Sequence, residues 1–207
     1  MHLPDGIVPV SMALAGYGAS AALAGLALAR IRALPDPQGQ VPRAAMLTAV
    51  FFAASLVAVP VPPASVHLLL AGLMGVLLGW FAVPAILVGL FLQAVLFGHG
   101  GITTLGLNAV ILGLPALMAH AVWRLAGRRW PDLAGFVAGA GAVLAVLALF
   151  VAIVLAGLPV ALDPGAERMA LGALVLAHLP LALAEGMIVL AVLRLLRRME
   201  PRLLPHG

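Results

Sequence analysis

VHLLLAGLMGVLLGWFAVPAILVGLFLQAVLF, residues 66–97, is the stretch whose reading decides the fold. It is almost wholly apolar. It reads either as one long helix or as two shorter ones meeting at Trp80-Phe81-Ala82-Val83-Pro84. Charge separates the two readings. With two helices, Arg30, Arg32 and Arg43 fall on the same side as Arg124, Arg128, Arg129, Arg194, Arg197, Arg198 and Arg202, and only Arg168 lies opposite. With one helix the middle cluster crosses over and the asymmetry weakens. Arginine gathers on the cytoplasmic side of membrane proteins, so the two-helix reading is preferred. Pro84 agrees, because proline is tolerated in a first helical turn.

Working outward, apolar runs bounded by Pro, Gly and Arg predict helices over 8–33, 43–60, 66–80, 83–97, 103–126, 133–157 and 169–196. The fold class expected is an all-α integral membrane protein with seven transmembrane helices, its amino terminus outside and its carboxyl terminus cytoplasmic. Residues 1–200 form one domain that opens with segment 1–7, and 201–207 form a short tail. The composition fits: 64% hydrophobic residues, 9% charged and a mean hydropathy of +1.20 lie far outside the soluble range. The first long apolar run has an acidic flank, so a cleaved signal peptide is not expected. Small residues four apart, at Gly16/Ser20, Ala21/Gly25, Gly75/Gly79 and Gly135/Gly139, permit close helix approach in lipid. No internal repeat of the kind many secondary transporters carry is discernible.

Two residue types are missing. All 11 basic residues are arginine, so a P-loop or Schiff-base lysine is excluded. Without cysteine there are no disulfides, thiolate metal sites or cysteine nucleophiles. No paired carboxylates, nucleophile–base pair or HExxH motif supports an enzyme. The net charge of +4 reads as membrane-orienting arginine rather than nucleic-acid binding.

The chemistry is concentrated at the amino terminus, Met1-His2-Leu3-Pro4-Asp5-Gly6. A histidine after a free amine is a chelator: the α-amine, the His2 backbone nitrogen and the His2 imidazole close small rings on one ion. Retention of Met1 is expected, because histidine is a large second residue. The same topology brings His67 and His99 to the outer end of the bundle, His67 opening the third helix and His99 following the fourth. The candidate ligands are therefore Met1, His2 and His67. Four nitrogens, one of them a deprotonated amide, favour a square-planar ion such as Ni²⁺ or Cu²⁺, with Co²⁺ accommodated by distortion. Zn²⁺ prefers tetrahedral sites, and Mg²⁺ and Ca²⁺ want oxygen.

Around this set, Pro4-Asp5-Gly6 reads as a turn folding the first residues back into the bundle, with Asp5 near the cap of helix 1 or supporting a ligand. His99 covers the site, hydrogen-bonds a ligand, serves as a ligand itself or simply packs between its glycines. Gln93 and Asn108 either face the site or bond across helices. Thr103 and Thr104 cap helix 5. His178 and Glu185, seven residues apart, share a face of the last helix, where an ionisable residue is a functional candidate. His120 is assigned to structure.

Three ordered motifs carry a resemblance: Met1-His2-Leu3-Pro4-Asp5-Gly6, then 65–72 (SVHLLLAG), then 91–106 (FLQAVLFGHGGITTLG). The chain resembles the CbiM/NikM family, the substrate-binding membrane subunits of cobalt and nickel energy-coupling-factor importers. The likeness runs along residues 1–120; beyond about residue 125 it rests on hydropathy. It implies seven helices with an inserted amino terminus. It also implies metal held by the terminal amine, the second residue's amide and imidazole, and a histidine matching His67. The partners implied are a transmembrane coupling subunit, two ATPase subunits and often a small accessory membrane protein. No permanent cofactor is expected; the transported Ni²⁺ or Co²⁺ is the bound substrate, and geometry leans toward nickel. Leu3 and Ile7-Val8-Pro9 depart from the family pattern, and no accessory domain is appended. The location expected is a bacterial or archaeal cytoplasmic membrane. The competing reading is a stand-alone proton-coupled metal transporter working through His178 and Glu185.

Overall fold

The computed structural model describes residues 2–61, 64–157 and 164–204. Among them are seven α-helices: α1 Val10–Arg32, α2 Val41–Leu56, α3 Ala71–Leu78, α4 Ala82–Phe97, α5 Leu105–Ala126, α6 Pro131–Gly157 and α7 Pro164–Met199. A bilayer offers no water to backbone amides, so apolar segments of this length satisfy them internally as helices. Among the described residues five segments are long and apolar enough to cross a membrane: Val10–Arg32, Ala71–Phe97, Leu105–Ala126, Pro131–Gly157 and Leu171–Met199. The fold is all-α apart from one hairpin.

The segment Ala71–Phe97 is not a straight rod. Gly79 has φ 57° and ψ −125°, a conformation open chiefly to glycine, and a 3₁₀ turn over Gly79–Phe81 follows it. Gly75 lies against Ala116 of α5, while Val83 lies within reach of Gly113. Eight residues of straight helix would separate those two contacts by about 12 Å, yet their partners are three residues apart, about 4.5 Å. The chain therefore reverses at Gly79, and α3 and α4 are separate helices, with the break where the sequence reading sets it.

The second and third helices are shorter than expected. α2 stops at Leu56, and α3 starts at Ala71. Between them β1 Ala58–Val61 and β2 Ala64–His67 pair antiparallel, with Ala58 opposite His67 and Val59 opposite Val66. The reason is local: valines at 57, 59 and 61 favour extended backbone, and Pro60 has no amide to give a helix. His67 thus closes a strand and does not open a helix.

All eight residues of α3 are buried, and its neighbours approach by way of glycine. A Cβ on Gly72 would stand 2.6 Å from the Ala138 carbonyl of α6, and one on Gly139 2.6 Å from the Glu185 carbonyl of α7. Gly16 meets Leu107 and Gly135 meets Leu193, whereas Gly25 has open space around it. At the arginine end, Arg30 lies 5.6 Å over the Trp80 ring, and Asp132 of α6 accepts hydrogen bonds from Arg194 and Arg197 of α7. These ion pairs are half exposed and align helices more than they stabilise them.

A Cβ at Gly75 would fall 1.9 Å from the Ala116 carbonyl, too close for any side chain. Gly75→Leu should cost at least about 1–3 kcal/mol, read as a lower melting temperature in detergent. Gly18→Ala, with nothing within 4 Å, should leave it unchanged.

Candidate metal centre

The amino-terminal segment enters the bundle through Leu3, which is fully buried. Its peptide groups need partners there, because a buried unpaired amide or carbonyl costs about 1–3 kcal/mol. Asn108 of α5 supplies both. Its Oδ1 accepts from the Leu3 amide at 2.8 Å, and its Nδ2 donates to the Leu3 carbonyl at 3.0 Å. Thr104 adds a second donor to that carbonyl, its hydroxyl at 2.6 Å. Thr104 is the residue at the cap of α5, yet its hydroxyl is spent on Leu3 and not on the helix.

Asp5 makes the next attachment. Its carboxylate accepts from the Thr103 amide at 2.9 Å, the Ile102 amide at 3.3 Å and the Thr103 hydroxyl. The bond from the Thr103 hydroxyl holds the Asp5 carboxyl below its ordinary range, so it stays ionised. Asp5 therefore ties the entering segment to the loop before α5 and takes no part in capping α1, whose cap residue is Pro9. The docking needs glycine opposite: a Cβ at Gly101 would sit 2.0 Å from the Asp5 carboxylate, and one at Gly100 3.3 Å from the His2 Cβ.

With Leu3 and Asp5 fixed, His2 is delivered to a cluster. Its ring stacks on His67 with centroids 5.0 Å apart and planes 5° from parallel. His99 stands edge-on to both, 4.9 Å from His2 and 5.2 Å from His67. Each histidine offers a nitrogen within 4.8 Å of the others. Two donors opposed across an ion at about 2.0–2.1 Å each sit about 4 Å apart, so closure takes only a small rotation. Both ring nitrogens of His2 are out of solvent and have no hydrogen-bond partner among the described residues.

Burial keeps protons off these rings. Burial lowers the pKa of His2 and His99, and brings His67 down from 6.5 to about 3. All three rings are therefore neutral and present lone pairs at neutral pH. The Nδ1 of His67 lies 3.1 Å from the Leu68 carbonyl, which can only accept. Nδ1 thus carries the proton, and the lone pair is on Nε2.

His67 is itself aimed from behind. Between it and α3 the chain turns at Leu70, whose φ of 50° is the one positive value at a non-glycine among the described residues. Such a turn costs about 1–3 kcal/mol unless its surroundings impose it. Glu185 of α7, fully buried, imposes it: its Oε1 accepts from the Leu70 amide at 3.0 Å and from the Leu69 amide.

Residues 2–203 match the family described as the cobalt uptake substrate-specific transmembrane region, CbiM. The chain belongs to this family. A cobalt transport protein CbiM from Sorangium cellulosum is 32% identical over 217 residues, covering 99% of this chain and 94% of that protein. A putative metal transport protein from Haemophilus influenzae is 40% identical over 134 residues, 65% of this CbiM-family chain and 62% of its own length. The fused nickel transport protein NikMN of Rhodobacter capsulatus is 35% identical over 133 residues, with 38% of its length matched. The chain thus spans less than two thirds of these last two relatives. The crystal structure of a truncated transition metal transporter shares the fold, with a TM-score of 0.83 over 96% of this chain and 99% of that one, at 23% identity.

Of the residues singled out in the sequence, the structure gathers His2, His67 and His99, with Asp5 and Asn108 holding the segment that carries His2. Met1 lies outside the described residues. Gln93 takes the cross-helix role: its side chain is fully buried and its Nε2 donates to Ser55 of α2, while its backbone carbonyl accepts from the His99 amide at 3.1 Å. Leu3, Thr104 and Glu185 as supports were missed. An apolar residue directly after His2, and an asparagine and a glutamate inside apolar helices, were the available signals.

Asn108→Leu strips the Leu3 amide of its partner and the Leu3 carbonyl of one of its two donors, without touching any imidazole. It should weaken Ni²⁺ or Co²⁺ binding about 10–100-fold by calorimetry, with helix content unchanged by circular dichroism.

Proposed function

We propose that this chain is the substrate-capturing membrane component of an ATP-driven energy-coupling-factor importer for Ni²⁺ or Co²⁺. In this reading the ion is held by the Met1 amine, the His2 amide and imidazole, and Nε2 of His67. His99, edge-on to both rings, closes the site as a further donor or as its cover. The chain crosses the cytoplasmic membrane of a bacterium or archaeon seven times, α3 and α4 counting as two spans, with the metal end outside and the arginine end inside. It performs no catalysis. A coupling membrane subunit and two ATPase subunits supply the energy, with a small accessory membrane protein where one is used.

The observation that carries this reading is His2: brought into the bundle by Leu3, stacked on His67, with both ring nitrogens buried and unclaimed by the described residues. Family membership supports metal uptake as the process. A deprotonated amide among four nitrogens favours Ni²⁺, with Co²⁺ next.

The proton-coupled alternative draws less support. Glu185, the carboxyl a proton relay needs, is engaged through Oε1 in holding the turn that aims His67, and no internal repeat of the secondary-transporter kind accompanies it.

Residues added before Met1 should abolish high-affinity Ni²⁺ binding by calorimetry while the fold persists. His67→Ala should cost more than the about 10–100-fold typical of losing an orienting partner. Unchanged affinity in the extended protein defeats the proposal. Uptake into liposomes holding this chain alone, driven by a pH gradient, would establish the alternative instead.

A further inference from the structure

At the end of the bundle away from the histidines, a cavity of about 710 Å³ opens between α1, α2, α3 and α5. Its charged lining is of one sign: Arg30, Arg43 and Arg124, with Trp80 and His120 beside them. Among the described residues no carboxylate lines it. Nη2 of Arg43 and Nδ1 of His120 are out of solvent and lack hydrogen-bond partners among the described residues. A desolvated cationic donor left unpaired is costly, so the cavity is made for an anion.

An apolar groove of about 570 Å³ runs beside it between α1, α2 and α4, past Ile31, Val41, Ala45, Phe52, Phe81 and Leu92. Three stretches of chain line both spaces: Arg30 is followed by Ile31, Arg43 by Ala44 and Trp80 by Phe81. Helices α1 and α2 make little direct contact with each other, so the groove separates them. From Val41 to Phe52 it follows α2 for about 16 Å, close to the depth of one leaflet's hydrocarbon, half of about 30 Å.

We propose that this end of the protein binds one anionic phospholipid, its phosphate among Arg30, Arg43 and Arg124 and one acyl chain in the groove between α1, α2 and α4. A charged pocket and an adjoining apolar channel one leaflet deep match an amphiphile, and basic pockets between membrane helices take such headgroups. A zwitterionic lipid would bring its own cation toward three arginines and is disfavoured. The lipid fills the seam between α1 and α2 and pairs the half-buried Arg43 guanidinium. This inference is independent of the metal assignment.

The full chain, released from nanodiscs of phosphatidylglycerol or of phosphatidylcholine, is examined by native mass spectrometry. Its melting in detergent is followed with either lipid or with inorganic phosphate. One phosphatidylglycerol should be retained and should raise the melting temperature; phosphatidylcholine and free phosphate should do neither. Arg43→Gln and Arg124→Gln should each lower retention about fivefold, the equivalent of about 1 kcal/mol per arginine. Ala49→Phe, which fills the groove, should expel the lipid, while exposed Arg128→Gln should change nothing. Equal retention of both lipids, or retention unaltered by Ala49→Phe and by the arginine changes together, overturns the proposal. Free phosphate matching phosphatidylglycerol would overturn it in favour of a soluble anion. Should the arginine variants not fold, the two-lipid comparison on the unaltered chain and Ala49→Phe decide.

Discussion

Asn108 holds both backbone polar groups of one residue, the amide and carbonyl of Leu3, inside a helical bundle. Without that pairing a segment of extended backbone could not stay among apolar helices, since each buried unpaired group costs about 1–3 kcal/mol. With it, the segment has a fixed point one residue from His2. Thr104 reinforces that point at the Leu3 carbonyl, Asp5 restrains the segment two residues further on, and Gly100 and Gly101 leave it room. The histidine cluster is a consequence of this docking, because His2 belongs to no helix or strand that would position it otherwise.

His67 is set by a second constraint of the same kind. A strand ends, the chain turns through a left-handed Leu70, and a buried carboxyl on α7 holds the turn by two amides. The carboxyl is itself placed by the close packing of α6 on α7 at Gly139. Packing between helices thus reaches the imidazole through four links: glycine contact, Glu185, the 69–70 turn, His67. Neutral, desolvated rings are what this arrangement delivers, and those are the protonation states in which nitrogen can bind a metal.

Much of this was legible in the sequence. Arginine asymmetry and Pro84 predict the reversal that occurs at Gly79, and glycine spacing marks the tight contacts at Gly16, Gly75, Gly135 and Gly139 but not those at Gly72 and Gly186, while Gly25 faces open space. The gathering of His2, His67 and His99 at one end follows from helix direction alone. The hairpin at 58–67 did not come through, because a hydropathy scan treats Val, Ala and Leu alike and misses that valine and proline together favour extended chain. The roles of Leu3, Thr104 and Glu185 were hidden for another reason: each acts on backbone groups far away in sequence, 101 to 116 residues off, and periodicity records only local neighbours. Asn108 was seen as polar and misplaced in lipid, but its partner was not identifiable.

A division of labour follows for a CbiM-family chain. One end presents soft nitrogen donors in a dry recess, and the other presents arginine to the interface. No nucleotide-binding motif links them, so capture and energy supply are separate tasks on the proposed reading. The claim on which all of this rests is that the docked amino terminus and His67 grip one ion together. X-ray absorption at the nickel edge of the loaded protein, with its amino terminus unextended, tests it most directly. The account predicts an inner shell of nitrogen with outer scattering from at least two imidazoles, one of which disappears in His67→Ala. A shell of oxygens without imidazole scattering, as for a hydrated ion, would contradict it.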